Sequence, residues 1–208
     1  MANCSNGSLD HLILTRYPHY LLLPLMLYMI GQIKLSVATF LFTFYFFRSP
    51  DRKRTTAAVD TDILSPADGK VLHIYETQDH HVVVIYLSPL DVHVQYMPID
   101  GEIFAQRYKK GEFNMAYILE KSNLNERLET DILTQTGNVI SVHQIAGQVA
   151  QRIESYVKKG DRFNHGCKLG IIKFGSRVDV YVPKNRYVPV VSKGQVASAI
   201  TTILFKST

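Results

Sequence analysis

"KVLHIYE" at residues 70–76 and "HHVVVIYLS" at residues 80–88 stand three residues apart, and both are rich in β-branched and aromatic side chains. Each is too short for a typical helix, and Gly69 and Asp79 bound them, so they read as strands. Outward from this pair the same texture recurs in "DVHVQYMP" (91–98), "GEIFAQRY" (101–108), "NVISVHQIAG" (138–147) and "LGIIKFG" (169–175). "KKGD" (158–161) and "NHG" (164–166) supply turns between further strands. "NLNERLETDIL" (123–133) stays open between a helical turn and a passage into a strand. The expected fold is mainly β (α+β), a β-sandwich or flattened barrel over residues 62–208.

The first fifty residues differ in character. No Asp, Glu, Lys or Arg occurs from Tyr17 to Ile33; Lys34 interrupts, and Leu35 to Phe47 is again uncharged. One helix over 17–47 would measure roughly 46 Å, against roughly 30 Å of bilayer hydrocarbon. Gly31-Gln32 makes a natural turn, so a membrane-associated hydrophobic helical hairpin is expected at 17–47. A polar tail (1–16) precedes it and a basic linker (48–61) follows. Arg48, Arg52, Lys53 and Arg54 place that linker on the cytoplasmic side of the cell membrane. The 208 residues carry a net charge of +5, 46% hydrophobic and 20% charged side chains, which excludes a disordered chain and favours anionic partners. Cys4 and Cys167 fit no metal or redox spacing, so neither a disulfide framework nor structural zinc is expected.

One dipeptide raises a chemical question. "KFGSRVDVYVP" (173–183) reads at first as an ordinary edge strand, with Val178, Val180 and Val182 facing a core and Pro183 ending it. Ahead of it lies Gly175-Ser176. A serine hydroxyl can attack the preceding carbonyl and convert the amide to an ester, provided the backbone is strained and the oxyanion stabilised. Glycine on the acyl side leaves attack unhindered. Loss of the Ser176 α-proton then expels the ester, and the dehydroalanine left behind hydrolyses to a pyruvoyl group.

"FFRSPDR" (46–52), "SPADGKV" (65–71), "YLSPLDVHVQYMPIDGEI" (86–103) and "LGIIKFGSRVDVYVP" (169–183) occur in this order, with "NERLET" and "QIAGQVAQRIESYVKKGD" between. This ordered set resembles the short bacterial-type phosphatidylserine decarboxylase proenzymes. The resemblance implies self-cleavage at Gly175-Ser176 into large (1–175) and small (176–208) chains that stay together. It also implies a covalent pyruvoyl cofactor made from Ser176, which converts phosphatidylserine to phosphatidylethanolamine through a Schiff base in phospholipid biosynthesis. The barrel is expected to be related to the biotinyl/lipoyl-type hybrid barrel.

Within those phrases His93 is the candidate proton donor to the carbanion. Asp68 is the candidate partner for self-cleavage, and Asp91, two residues before His93, shares its strand face. Many relatives carry a second histidine where this chain has Tyr96; tyrosine, with an ordinary pKa of about 10, is a poor base, so Tyr96 is assigned to the substrate side. Arg177 is a candidate for the lipid phosphate or the substrate carboxylate. A non-catalytic membrane-anchored lipoyl/biotinyl-like module would leave "SPADG" and "DVH" without a purpose. A zinc hydrolase using His80, His81, Asp91 and His93 matches no ligand spacing, and no metal is expected. The positive residues, including Lys109-Lys110, suit a lipid surface better than nucleic acid. Oligomeric state stays open, a homodimer being one option.

Overall fold

The computed structural model describes residues 17–50, 52–148, 153–173 and 175–208. They divide into two units, one within 5–51 and one running from Arg52 to Thr208. The expected polar tail, 1–16, lies outside the described residues.

The hydrophobic segment folds as a helical hairpin. A 3-10 turn, Pro18–Leu21, leads into α1 (Leu22–Met29), and α2 (Ile33–Phe46) follows the turn at Ile30 and Gly31. Pro24 sits in the first turn of α1, where its missing N–H breaks no helical bond. Its carbonyl accepts the Ser36 hydroxyl of α2 at 2.7 Å. Among the described residues no helix is long and apolar enough to cross a membrane.

The second unit is built of antiparallel strands. In chain order they are β1 (Ile63–Leu64), β2 (Gly69–Glu76), β3 (His80–Leu87), β4 (Val94–Tyr96), β5 (Gly101–Lys109), β6 (Arg127–Thr134) and β7 (Val139–Ala146). Then come β8 (Ile153–Ser155), β9 (Arg162–Phe163), β10 (Lys168–Ile172), β11 (Ser176–Pro183), β12 (Tyr187–Pro189), β13 (Val196–Ala197) and β14 (Ile203–Ser207). A single short helix, α3 (Leu119–Ser122), falls between β5 and β6. Eight strands form one open sheet in the order β13-β2-β3-β11-β7-β6-β5-β9. Two smaller sheets have the orders β4-β10-β8 and β1-β14-β12. The unit is therefore mainly β.

The opening pair of runs forms the β2–β3 hairpin, with Ile74 opposite Val83 and Glu76 opposite His81. The open stretch 123–133 resolves into an approach followed by β6. β11 is not an edge strand: it pairs with β3 on one side and β7 on the other. Pro183 is compatible with that because it is the last residue of the ladder, where no further bond is needed. Val178, Val180 and Val182 are fully buried with Val83, Ile85, Ile140 and Val142, and each such side chain contributes roughly 1.5–3 kcal/mol. The stretch expected as linker is tied to the β unit from Arg52 onward, through Thr55 N–H to the Ile200 carbonyl and Thr61 to Ser207. Cys167 is disulfide-bonded, which its spacing had not suggested.

Candidate active site

β10 and β11 follow one another in the chain but belong to different sheets, so the Gly175-Ser176 bond stands where the backbone crosses between them. Gly175 has φ +65°, a left-handed conformation that costs other residues roughly 1–2 kcal/mol. Ser176 begins β11, fully buried, with Leu87 opposite on one strand and Ala146 on the other. Its hydroxyl has no hydrogen-bond partner among the described residues. A buried polar group left so costs about 1–3 kcal/mol. Nothing in the packing explains it as a structural hydroxyl.

The carbonyl that this hydroxyl would attack is crowded from one side. A Cβ added to Gly147 would stand 2.2 Å from the Gly175 oxygen and 2.9 Å from its carbon. Gly147 directly follows Ala146, the cross-strand neighbour of Ser176. Only a residue without a side chain lets β7 pass this close.

His93 is fully buried just before β4. Its Nδ1 lies 2.9 Å from the Asp91 backbone carbonyl, which only accepts, so Nδ1 donates and Nε2 is the nitrogen open to a proton in the neutral ring. The Asp91 carboxylate is turned elsewhere, onto the Ser88 N–H at 2.7 Å. Asp91 therefore meets His93 through its backbone carbonyl, while its carboxylate serves the Ser88 turn. The His93 carbonyl accepts Ile172 N–H from β10 at 3.3 Å and the Gln95 amide at 2.7 Å. Gln95 in turn accepts from Gln144 of β7 at 2.7 Å. His93 is thus tied to β10 shortly before the crossing at Gly175. Gln95 and Gln144 were not singled out in the sequence, although two buried amides on apolar strands are a readable signal.

The remaining candidates divide. Tyr96 ends β4 at 3% exposure, its N–H on the Pro66 carbonyl. Asp68 precedes β2 at the sheet end where Ser176 lies, with β3 between them. Its carboxylate holds Arg52 and takes the Ala199 N–H at 2.8 Å. No hydrogen bond from it to Ser176 is formed among the described residues.

Arg177 is the clearest correction. It is 2% exposed, and all five of its N–H groups are engaged. Nε and Nη2 grip Asp179 at 2.8 Å each; Nη1 reaches Ser122 Oγ at 2.5 Å and the Leu119 carbonyl at 3.4 Å; Nη2 also reaches Asn123 Oδ1 at 2.8 Å. No donor is left for a lipid phosphate or carboxylate, so Arg177 clamps α3 to β11. Burial raises the Asp179 pKa against the opposing pull of Arg177.

Beside this pair the same sheet face carries a polar row, with Asp179 and Glu129 buried and His143 half-buried: Asp179 opposes His143, which opposes Glu129. Burial lowers the His143 pKa to about 4, partly countered by the charge of Glu129. Glu126, at 5% exposure, keeps one carboxylate oxygen without a hydrogen-bond partner among the described residues, and its carbonyl accepts the Ala146 N–H at 2.9 Å.

Residues 39–204 match the family described as phosphatidylserine decarboxylase. A phosphatidylserine decarboxylase proenzyme of Salinibacter ruber is 39% identical over 180 residues, covering 83% of this chain and 79% of the relative. That of Carboxydothermus hydrogenoformans is 40% identical over 172 residues, 79% of each chain. That of Porphyromonas gingivalis is 37% identical over 163 residues, 75% of this chain and 74% of the relative. With a buried serine hydroxyl beside a left-handed glycine at the sheet crossing, and with these relatives across most of its length, the chain belongs to the phosphatidylserine decarboxylase family.

Proposed function

We propose that this decarboxylase makes its reactive group at position 176. Ser176 Oγ attacks the Gly175 carbonyl carbon and the peptide C–N bond opens to leave an ester. Loss of the Ser176 α-proton then breaks the Cβ–O bond, so that 1–175 departs as a carboxylate and the dehydroalanine heading 176–208 takes up water and releases ammonia. The observation that supports this most is the buried Ser176 hydroxyl, unengaged among the described residues and directly after the positive φ of Gly175. A pyruvoyl group at the head of the small chain supplies a carbonyl for the headgroup amine and a sink for the electrons that carbon dioxide leaves behind. The surroundings fit such a group, because β3 and β7 hold residue 176 from both sides and would keep the small chain in the sheet after cleavage.

His93 is assigned proton transfer at the reacting carbon. Its Nδ1–H is held by the Asp91 carbonyl, so Nε2 takes up and returns the proton. Tyr96, buried at the end of β4, is assigned to wall the headgroup. Asp68, fixed by Arg52 and Ala199, is assigned to hold the sheet end near the cleavage bond. The hydrophobic hairpin of 17–47 and the basic residues after it support attachment to the cell membrane with the β unit on the cytoplasmic side. The domain boundaries at 16/17, 47/48 and 61/62, a homodimer, and a relation to the biotinyl/lipoyl-type hybrid barrel belong to the same reading. The succession of short strands and turns from β8 to β11 supports the last.

Ser176→Ala and a carbonyl-trapping amine test the proposal together. The unaltered protein is expected to label on its small chain, while Ser176→Ala stays one chain, unlabelled and inactive. An active, uncut Ser176→Ala protein would overturn it.

A further inference from the structure

Residues 112–125, between β5 and β6, cover the end of the sheet where Ser176 lies. Ala116 Cβ is 3.2 Å from where a side chain on Gly147 would begin, and the Tyr117 ring meets the Tyr86 ring edge-on at 5.9 Å. The cover is pinned at two places. Asn125 donates to the Ala146 carbonyl at 2.7 Å and to the Asn114 carbonyl at 2.8 Å. Arg177 holds Leu119, Ser122 and Asn123 from beneath.

Its outer side is apolar where a pinned surface segment is ordinarily polar. Phe113 is 45% exposed, Met115 39%, Tyr117 49% and Leu124 62%. Lys121 is exposed on this stretch together with Glu112 and Glu120, and Lys109 and Lys110 are exposed just before it. Four large apolar side chains held out to solvent within twelve residues cost free energy unless something covers them. Aromatic side chains flanked by lysines are what a membrane–water interface takes up. The family's substrate lives in a bilayer, and its headgroup must reach residue 176 beneath this segment.

We propose that residues 112–125 dip into an anionic phospholipid bilayer, so that the β unit has a membrane contact of its own at its active site, separate from the hydrophobic hairpin. This rests on the reading of the chain as a decarboxylase of phosphatidylserine. Phe113, Met115, Tyr117 and Leu124 enter the interfacial layer, Lys109, Lys110 and Lys121 meet lipid headgroups, and Glu112 and Glu120 stay on the water side.

The chain contains no tryptophan, so Phe113→Trp and Leu124→Trp each give a single reporter in the full-length protein. Vesicles of phosphatidylcholine and phosphatidylserine should shift the emission of both to the blue, and lipids brominated on the acyl chains should quench it. Sedimented, vesicle-bound protein with emission unshifted and unquenched would overturn the proposal. So would a blue shift that follows protein concentration in the absence of vesicles, which would mark a second copy of the chain as the cover. As a second readout, Phe113→Ser with Leu124→Ser should lower kcat/KM on vesicles about tenfold more than on a short-chain phosphatidylserine dispersed as monomers. Equal losses on both substrates would reduce the segment to a wall of the site. Absence of product from the unaltered protein on either substrate would sink the functional reading, while the tryptophan signals would still report on the surface.

Discussion

The α-carbon of Gly147 approaches the Gly175 carbonyl so closely that an added methyl carbon would stand 2.2 Å from its oxygen. That oxygen is the one on which negative charge gathers when Ser176 attacks. Gly147→Ala should therefore displace the bond to be broken. The overpacking costs roughly 1–3 kcal/mol of stability, which leaves room for a folded protein. Processing should slow at least about tenfold, a change equivalent to about 1.4 kcal/mol in the barrier. Appearance of the small chain on denaturing gels, beside a thermal melt, measures the two effects separately. Normal processing in a folded Gly147→Ala protein would remove the close approach from the account.

Arg177 and Asp179 form a buried pair whose side chains are 2% and 0% exposed. Arg177→Met leaves Asp179 without its partner in a site that already resists its charge, and should cost about 3–5 kcal/mol. Adding Asp179→Leu should recover a large part of that loss. Urea unfolding in the uncut Ser176→Ala background, where a single chain is followed, checks both. If Arg177→Met left the urea midpoint unmoved, the clamp would not be structural.

His143 gives a pH dependence with a definite sign. Its folded pKa, about 4, lies below the ordinary 6.5 because burial penalises the charged ring. Between those values the unfolded chain binds a proton that the folded one refuses, so folding stability rises with pH across the window. The contribution is fully present above 6.5 and is lost as pH falls toward about 4. His143→Gln should flatten the curve there, as read from urea midpoints at about pH 5 and pH 7. An unchanged slope would place the acid sensitivity elsewhere.

Much of this was legible in the residues. The strands at 70–76, 80–88, 101–108 and 138–147 and the turns at 158–161 and 164–166 could be read because each is local: period, β-branching and turn chemistry within ten residues. The hairpin turn at Gly31 was legible for the same reason. What escaped depends on distant partners. Arg177 read as an available cation because Ser122 and Asn123, which absorb its donors, lie more than fifty residues upstream. The central place of β11 was hidden by Pro183, which suggests an edge unless it is known to end the ladder. The bond from Ala199 to Asp68 was equally hidden, because nothing in "SPADG" announces a partner 131 residues away.

The roles of the His93 ring and the Asp91 carboxylate are separated by a simple comparison. His93→Gln should reduce carbon dioxide release by processed protein roughly a hundredfold or more, the ordinary weight of a positioned proton donor. Asp91→Asn should stay within a few fold, since His93 bonds the backbone of Asp91 and not its carboxylate. A loss on Asp91→Asn equal to that on His93→Gln would mean that the carboxylate acts on the ring after all.

Intact-mass measurement on purified, active protein under denaturing conditions reaches the centre of the account. Two polypeptides should be found, one ending at Gly175 and one beginning at position 176 with the mass of a pyruvoyl group in place of serine. Full activity in a preparation that holds only the uncut chain, with Ser176 unaltered, would contradict it.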